Sequence, residues 1–153
     1  MYVILRRGVN VGAAQTWFIA GTVPLIAAGG LHAALTLVDT VRPTYFTPKD
    51  AALRPQLERA HIRFGGSAAP SMWRAWLGFN ISHGLGVLAF AVLCLLIATH
   101  DFTLVQHITA IRPLAIAFSA TYVVLALRFW FWGPVLLTSF ATTCFVASTV
   151  LSS

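Results

Sequence analysis

Two histidines and an asparagine are the residues of this chain whose chemistry is out of keeping with their surroundings. Asn80 and His83 lie within WRAWLGFNISHGLGV, residues 73–87, and His32 lies in another apolar run. Amide and ionisable side chains at membrane depth are costly and turn towards protein rather than lipid, so each is a candidate site. Around them Gly78, Ser82 and Gly86 recur every four residues. On a helix these form one stripe of small residues, which lets another transmembrane helix come close. At about 100° per residue, Asn80 and His83 project about 100–160° from the middle of that stripe, on the side of Trp76. One helix thus offers a small face and a polar face to different neighbours.

Three chemistries compete for the histidines. The first is interhelical hydrogen bonding, His83 or His32 to Asn80 or Thr36. The second is a pocket at His32, Asn80 and His83 for a small ligand, a lipid or a quinone headgroup. The third is bis-histidine ligation of haem or a metal, since neutral imidazoles serve as axial ligands. His83 lies about 15 Å along its helix from Trp73, and His32 about 9 Å from Val38, so the rings fall in one half of the bilayer. No carboxylate accompanies them, because Asp39 and Asp101 sit at helix ends. That argues against a metal hydrolase or a proton pump. Ser82 and His83 are adjacent and do not face each other on a helix, so they are no hydrolytic dyad. There is no G-x-S-x-G, no H-E-x-x-H and no phosphate-cradling glycine loop. No catalytic residue and no metal-ligand set is assigned.

The elements that must position these side chains follow from composition. The 153 residues are 58% hydrophobic and 9% charged, with a mean hydropathy of +0.81. Soluble domains carry about 25% charge, so lipid is the expected solvent. Four apolar runs, at about 12–38, 73–98, 104–127 and 134–151, each have roughly the 17–25 residues that span a hydrocarbon core. The expected fold class is all-α: an integral membrane four-helix bundle, one domain over 1–153, with a short amphipathic connector at 39–72. The first run is too long for a signal-peptide core of about 7–15 residues and no A-x-A site follows it, so it reads as a retained helix.

Within this frame, Trp17, Trp73, Trp76, Trp130 and Trp132, with Arg74 and Arg128, are expected as anchors at the membrane interface. Pro24 is expected to kink the first helix. Thr47-Pro48-Lys49-Asp50 has the signature of a helix start, with Leu53, Leu57, Ala60 and Phe64 at helical spacing behind it and Pro55 interrupting. Short pieces lying on the membrane surface are the expected outcome. Thr103 with Gln106 matches a capping box for the third helix, which Pro113 then bends near Arg112. The hydroxyls of the last helix can bond their own carbonyls or cross to a neighbour. Cys94 and Cys144 lie in apolar runs without C-x-x-C spacing and read as small packing residues.

The formal charge of +6 is placed at helix ends, where anionic headgroups and topology explain it better than nucleic acid does. Arg42, Lys49, Arg54, Arg59, Arg63, Arg74 and Arg128 fall on one side of four crossings, and Arg6, Arg7 and Arg112 on the other. Seven against three favours the 39–72 connector inside the cell.

The motif WRAWLGFNxSHG, together with Gly30…His32 and the connector FTPKDAALRPQLE, resembles a family of small four-helix bacterial integral membrane proteins. The likeness covers about residues 20–95. It implies the four-helix fold and a multi-pass setting in the bacterial cytoplasmic membrane, and draws attention to His32, Asn80 and His83. It implies no activity. Small size, tight hairpins and missing catalytic motifs lead to the expectation of a structural or accessory subunit of a larger membrane complex, respiratory or photosynthetic. Its partners would be lipid and other membrane subunits. The alternative is a ligand-, quinone- or haem-binding membrane protein.

Overall fold

In hydrocarbon a backbone must satisfy its own polar groups, and the helix does so within one segment. A computed structural model of the chain is accordingly all-α, 81% helical, with no strand among the described residues. It describes residues 2–152, with side chains from Val11 onward. Arg6 and Arg7, part of the charge comparison above, lie outside the described side chains. The elements are α1 (Tyr2–Val41), α2 (Leu53–Arg59), a 3-10 turn at Gly66–Ala68, α3 (Met72–His100), α4 (Phe102–His107), α5 (Ile111–Phe129) and α6 (Trp132–Leu151). Among the described residues four stretches are long and apolar enough to cross a membrane: Val11–Val41, Met72–His100, Ile111–Phe129 and Trp132–Leu151. The first, second and fourth lie close to the expected runs.

The third begins later than expected. Asp101, not Thr103, is the cap: its carboxylate accepts the Thr103 hydroxyl at 2.6 Å and the Thr103 N–H at 2.9 Å. These bonds hold the Asp101 carboxyl below the usual carboxylate range. They start the six-residue helix α4, after which the chain turns and α5 opens at Ile111. Pro113 therefore sits in the first turn of α5, where a missing N–H leaves no carbonyl short of a donor. The expected bend is a break. At Pro24, by contrast, α1 runs on as one unbroken helix.

The connector also departs from its expected pattern. Residues 47–50 are irregular; the Asp50 side chain accepts the Ala52 N–H at 2.9 Å, and α2 starts at Leu53 with Pro55 in its first turn. The helical face expected to run on to Phe64 ends at Ala60, which is extended, and Phe64 is 89% exposed. From there the chain closes on itself, Met72 N–H to the Ala60 carbonyl at 2.8 Å and Ile62 N–H to that of Pro70 at 3.2 Å. Gly65, at φ 110°, makes the reversal, a conformation that a Cβ would strain. Ser71 then caps α3 by accepting the Arg74 N–H.

The contacts fall into two units, residues 1–28 with 87–153, and residues 29–86. The first has an apolar core built on Phe18, whose ring lies 5.0 Å from that of Phe145 and 6.1 Å from that of Phe102. Gly21 is required there, because a Cβ would meet the Phe145 ring at 2.9 Å. Ser148 donates across to the Ala14 carbonyl at 2.7 Å, and Gln15 to that of Ala98 at 2.8 Å. In α6, Thr138, Thr142, Thr143 and Thr149 bond carbonyls four residues back. Cys94 and Cys144 are buried and free. The second unit is built from Gly29–Val41 of α1, the connector and the first half of α3, and it holds the site.

Candidate functional site

The face that α3 buries runs through Trp73, Leu77, Asn80, Gly84, Val87, Ala91, Cys94 and Ala98. Alternating steps of four and three keep these residues on one seam, the spacing that lets two helices interlock side by side. Within the second unit the seam meets Ala33 of α1, and Thr36 and Asp39, farther along α1, are buried as well. The closest approach is at Gly84, where a Cβ would lie 2.7 Å from the Ala33 nitrogen and 3.0 Å from its Cα. That approach brings α1 and α3 near enough for short side chains to bond between them.

The bond is His32 to Asn80. His32 Nε2 lies 3.1 Å from Asn80 Oδ1, and Asn80 Nδ2 donates to the Trp76 carbonyl one turn earlier at 2.8 Å. With the amide so oriented its oxygen accepts, which assigns the proton to His32 Nε2. Asn80 is 1% exposed. Thr36 bonds the His32 carbonyl at 2.8 Å and so does not reach the rings. His83 packs beside His32, ring centroids 5.3 Å apart at 66°, and stacks on Phe79 at 5.9 Å. The three polar residues singled out in the sequence are therefore one cluster, with both imidazoles at the same level.

Sequence reasoning missed what holds the other side of the cluster. Phe46, from the connector, lays its ring against His32 at 4.6 Å. The turn that carries it is fixed from both directions. The buried Asp39 carboxylate accepts the N–H groups of Thr44 at 2.8 Å, Tyr45 at 2.9 Å and Phe46, while the Trp76 indole donates to the Phe46 carbonyl at 3.0 Å. Asp39 is thus an anchor of the site and no mere helix-end charge. A signal for it existed: a carboxylate in the last turn of a helix opposes the macrodipole and needs donors from beyond the helix end.

Other expected residues land differently. Gly78, Ser82 and Gly86 are exposed, and nothing lies within 4 Å of a Cβ on either glycine. The stripe therefore takes no part in joining α3 to α1, which is the work of Gly84. Trp17, Trp76, Trp130 and Trp132 are exposed, as are Arg74 and Arg128. Trp73 is a correction: at 6% exposure it is packed inward, with the Arg54 guanidinium 5.5 Å over its ring. It stands at the start of the face that α3 buries.

The arrangement is suited to holding helices together. Two axial imidazoles must lie on opposite sides of a tetrapyrrole, whereas these rings are in edge contact and Asn80 already takes the His32 Nε2 proton. Haem does not fit between them. Among the described residues no group of three or more His, Cys, Asp and Glu side chains gathers to hold a metal ion. No protein-family model, curated protein or solved structure matches this chain.

Proposed function

We propose that the protein is a structural or accessory subunit of a larger membrane complex in the bacterial cytoplasmic membrane, of a respiratory or photosynthetic kind. The observation that carries this reading is where the polar groups of the spans are used. The Asn80 amide is bonded on both ends, to His32 and to the Trp76 carbonyl, and the α6 hydroxyls return to their own helix or, at Ser148, to α1. Such groups stiffen a scaffold; a transport path or a reaction centre needs them free to bind and release. Gly78, Ser82 and Gly86, outside the joint, leave α3 a surface against which a partner helix can lie. The bacterial setting is part of this proposal and comes from the resemblance read in the motif WRAWLGFNxSHG.

Extraction from native membranes in mild detergent, followed by native electrophoresis, tests this. The expected result is migration with other membrane subunits in a species several times the mass of the chain. Migration as a lone protomer at every concentration overturns it.

A further inference from the structure

The joint leaves one feature unused. Beside it Phe46, Thr47 and Pro48 of the connector, Leu57 of α2, and Trp73 and Trp76 of α3 line a cleft of about 320 Å³ that opens to the outside. Its walls are largely aromatic carbon, since the Trp76 indole N–H is taken by the Phe46 carbonyl. Tryptophan in such walls suits the depth at which headgroups meet acyl chains. One polar atom is at odds with them. The Thr47 hydroxyl is buried and is the one such side-chain atom among the described residues without a hydrogen-bond partner. A buried hydroxyl without an acceptor is unfavourable, and a turn of the Thr47 side chain about χ1 towards the cleft would let an ester or phosphate oxygen supply one.

The charge around the cleft is predominantly positive. Arg54 lies over the Trp73 wall, paired only with the exposed Glu58 at 3.0 Å, a contact that a phosphate can outcompete. Lys49 follows the lining residue Pro48, and Arg74 follows Trp73; both are exposed. From residue 42 to 74 the sequence carries six cationic residues against two acidic ones.

From these features we infer that the cleft is a binding site for one anionic phospholipid. Arg54 receives its phosphate, with Lys49 and Arg74 contributing to the local potential. The Thr47 hydroxyl, turned towards the cleft, donates to a headgroup or ester oxygen, and the Trp73 and Trp76 rings cover the glycerol region. Free phosphate or an acidic peptide would use the cations but leave the aromatic walls uncovered. The inference stands apart from the accessory-subunit reading, since the lipid can be bound whether or not a partner is.

Native mass spectrometry of the full chain in mild detergent, titrated with phosphatidylglycerol or phosphatidylcholine of the same acyl chains, tests it. The anionic lipid should be retained at a concentration about fivefold or more below the zwitterionic one, the discrimination that one nearby cation supplies. Arg54→Gln should lower that preference by about fivefold. Thr47→Val should weaken retention as well, and Trp132→Phe, outside the cleft, should change neither. Lys49→Gln, on irregular exposed chain, serves as a second charge variant if Arg54→Gln does not fold, and should lower the preference in the same direction. Equal retention of the two lipids overturns the site. So does wild-type preference in Arg54→Gln and Thr47→Val together, or displacement of the lipid by an equal concentration of glycerol phosphate.

Discussion

Gly84→Ala should loosen the α1–α3 joint and lower the unfolding free energy of the detergent-solubilised protein by about 1–3 kcal/mol, the usual cost of overpacking. A methyl group there meets the Ala33 backbone, nitrogen at 2.7 Å and Cα at 3.0 Å, and backbone cannot swing aside as a side-chain tip can. The helices must part, and His32 must then reach farther for Asn80. Gly78→Ala and Gly86→Ala are the matched controls. Nothing lies within 4 Å of either new methyl, so each should be neutral or stabilising by up to ~1 kcal/mol through better helix propensity. Thermal or SDS unfolding followed by circular dichroism separates the cases. Equal effects at 84 and 78 would mean that the helices do not meet where described.

The second large effect is expected at Asp39. Asp39→Ala leaves the N–H groups of Thr44, Tyr45 and Phe46 without their acceptor and should cost on the order of 3 kcal/mol or more. Asp39→Asn is the informative partner. It keeps one oxygen for Thr44 and Tyr45 but turns an amide N–H towards that of Phe46, so its loss should fall between wild type and alanine. The turn also carries the carbonyl that holds the Trp76 indole, and the ring that covers His32. Tryptophan emission should therefore shift to the red in Asp39→Ala as Trp76 is released. Unchanged stability and emission would remove Asp39 from the account.

Much of this fold was legible because the runs are so apolar that only helices can carry them through lipid. The cluster was legible for a related reason: an imidazole or an amide stands out against such a background, and distance along each helix set both rings at one level. The phase of α3 was not. A helix that is apolar on every side has no preferred buried face, so the regular Gly78–Ser82–Gly86 spacing drew attention from Gly84, which lies in the same short motif. Trp73 was misread for the same reason, since a tryptophan at a helix end suits both the interface and a core. The start of α5 depended on whether Asp101 or Thr103 supplied the first acceptor, a choice that spacing alone leaves open. Asp39 could have been found by asking what neutralises a carboxylate at the negative end of a helix.

The central claim is that α1 and α3 are joined inside the membrane by the His32–Asn80 bond, with His83 packed against it. Solid-state NMR of the full chain in bilayers, with histidine ring nitrogens and asparagine amides labelled, tests it most directly. The account predicts a through-space contact between the His32 ring and the Asn80 side chain, a protonated Nε2 on His32, and a contact between the two imidazoles. Cross-peaks from either ring to lipid acyl protons, with no signal between His32 and Asn80, would contradict it.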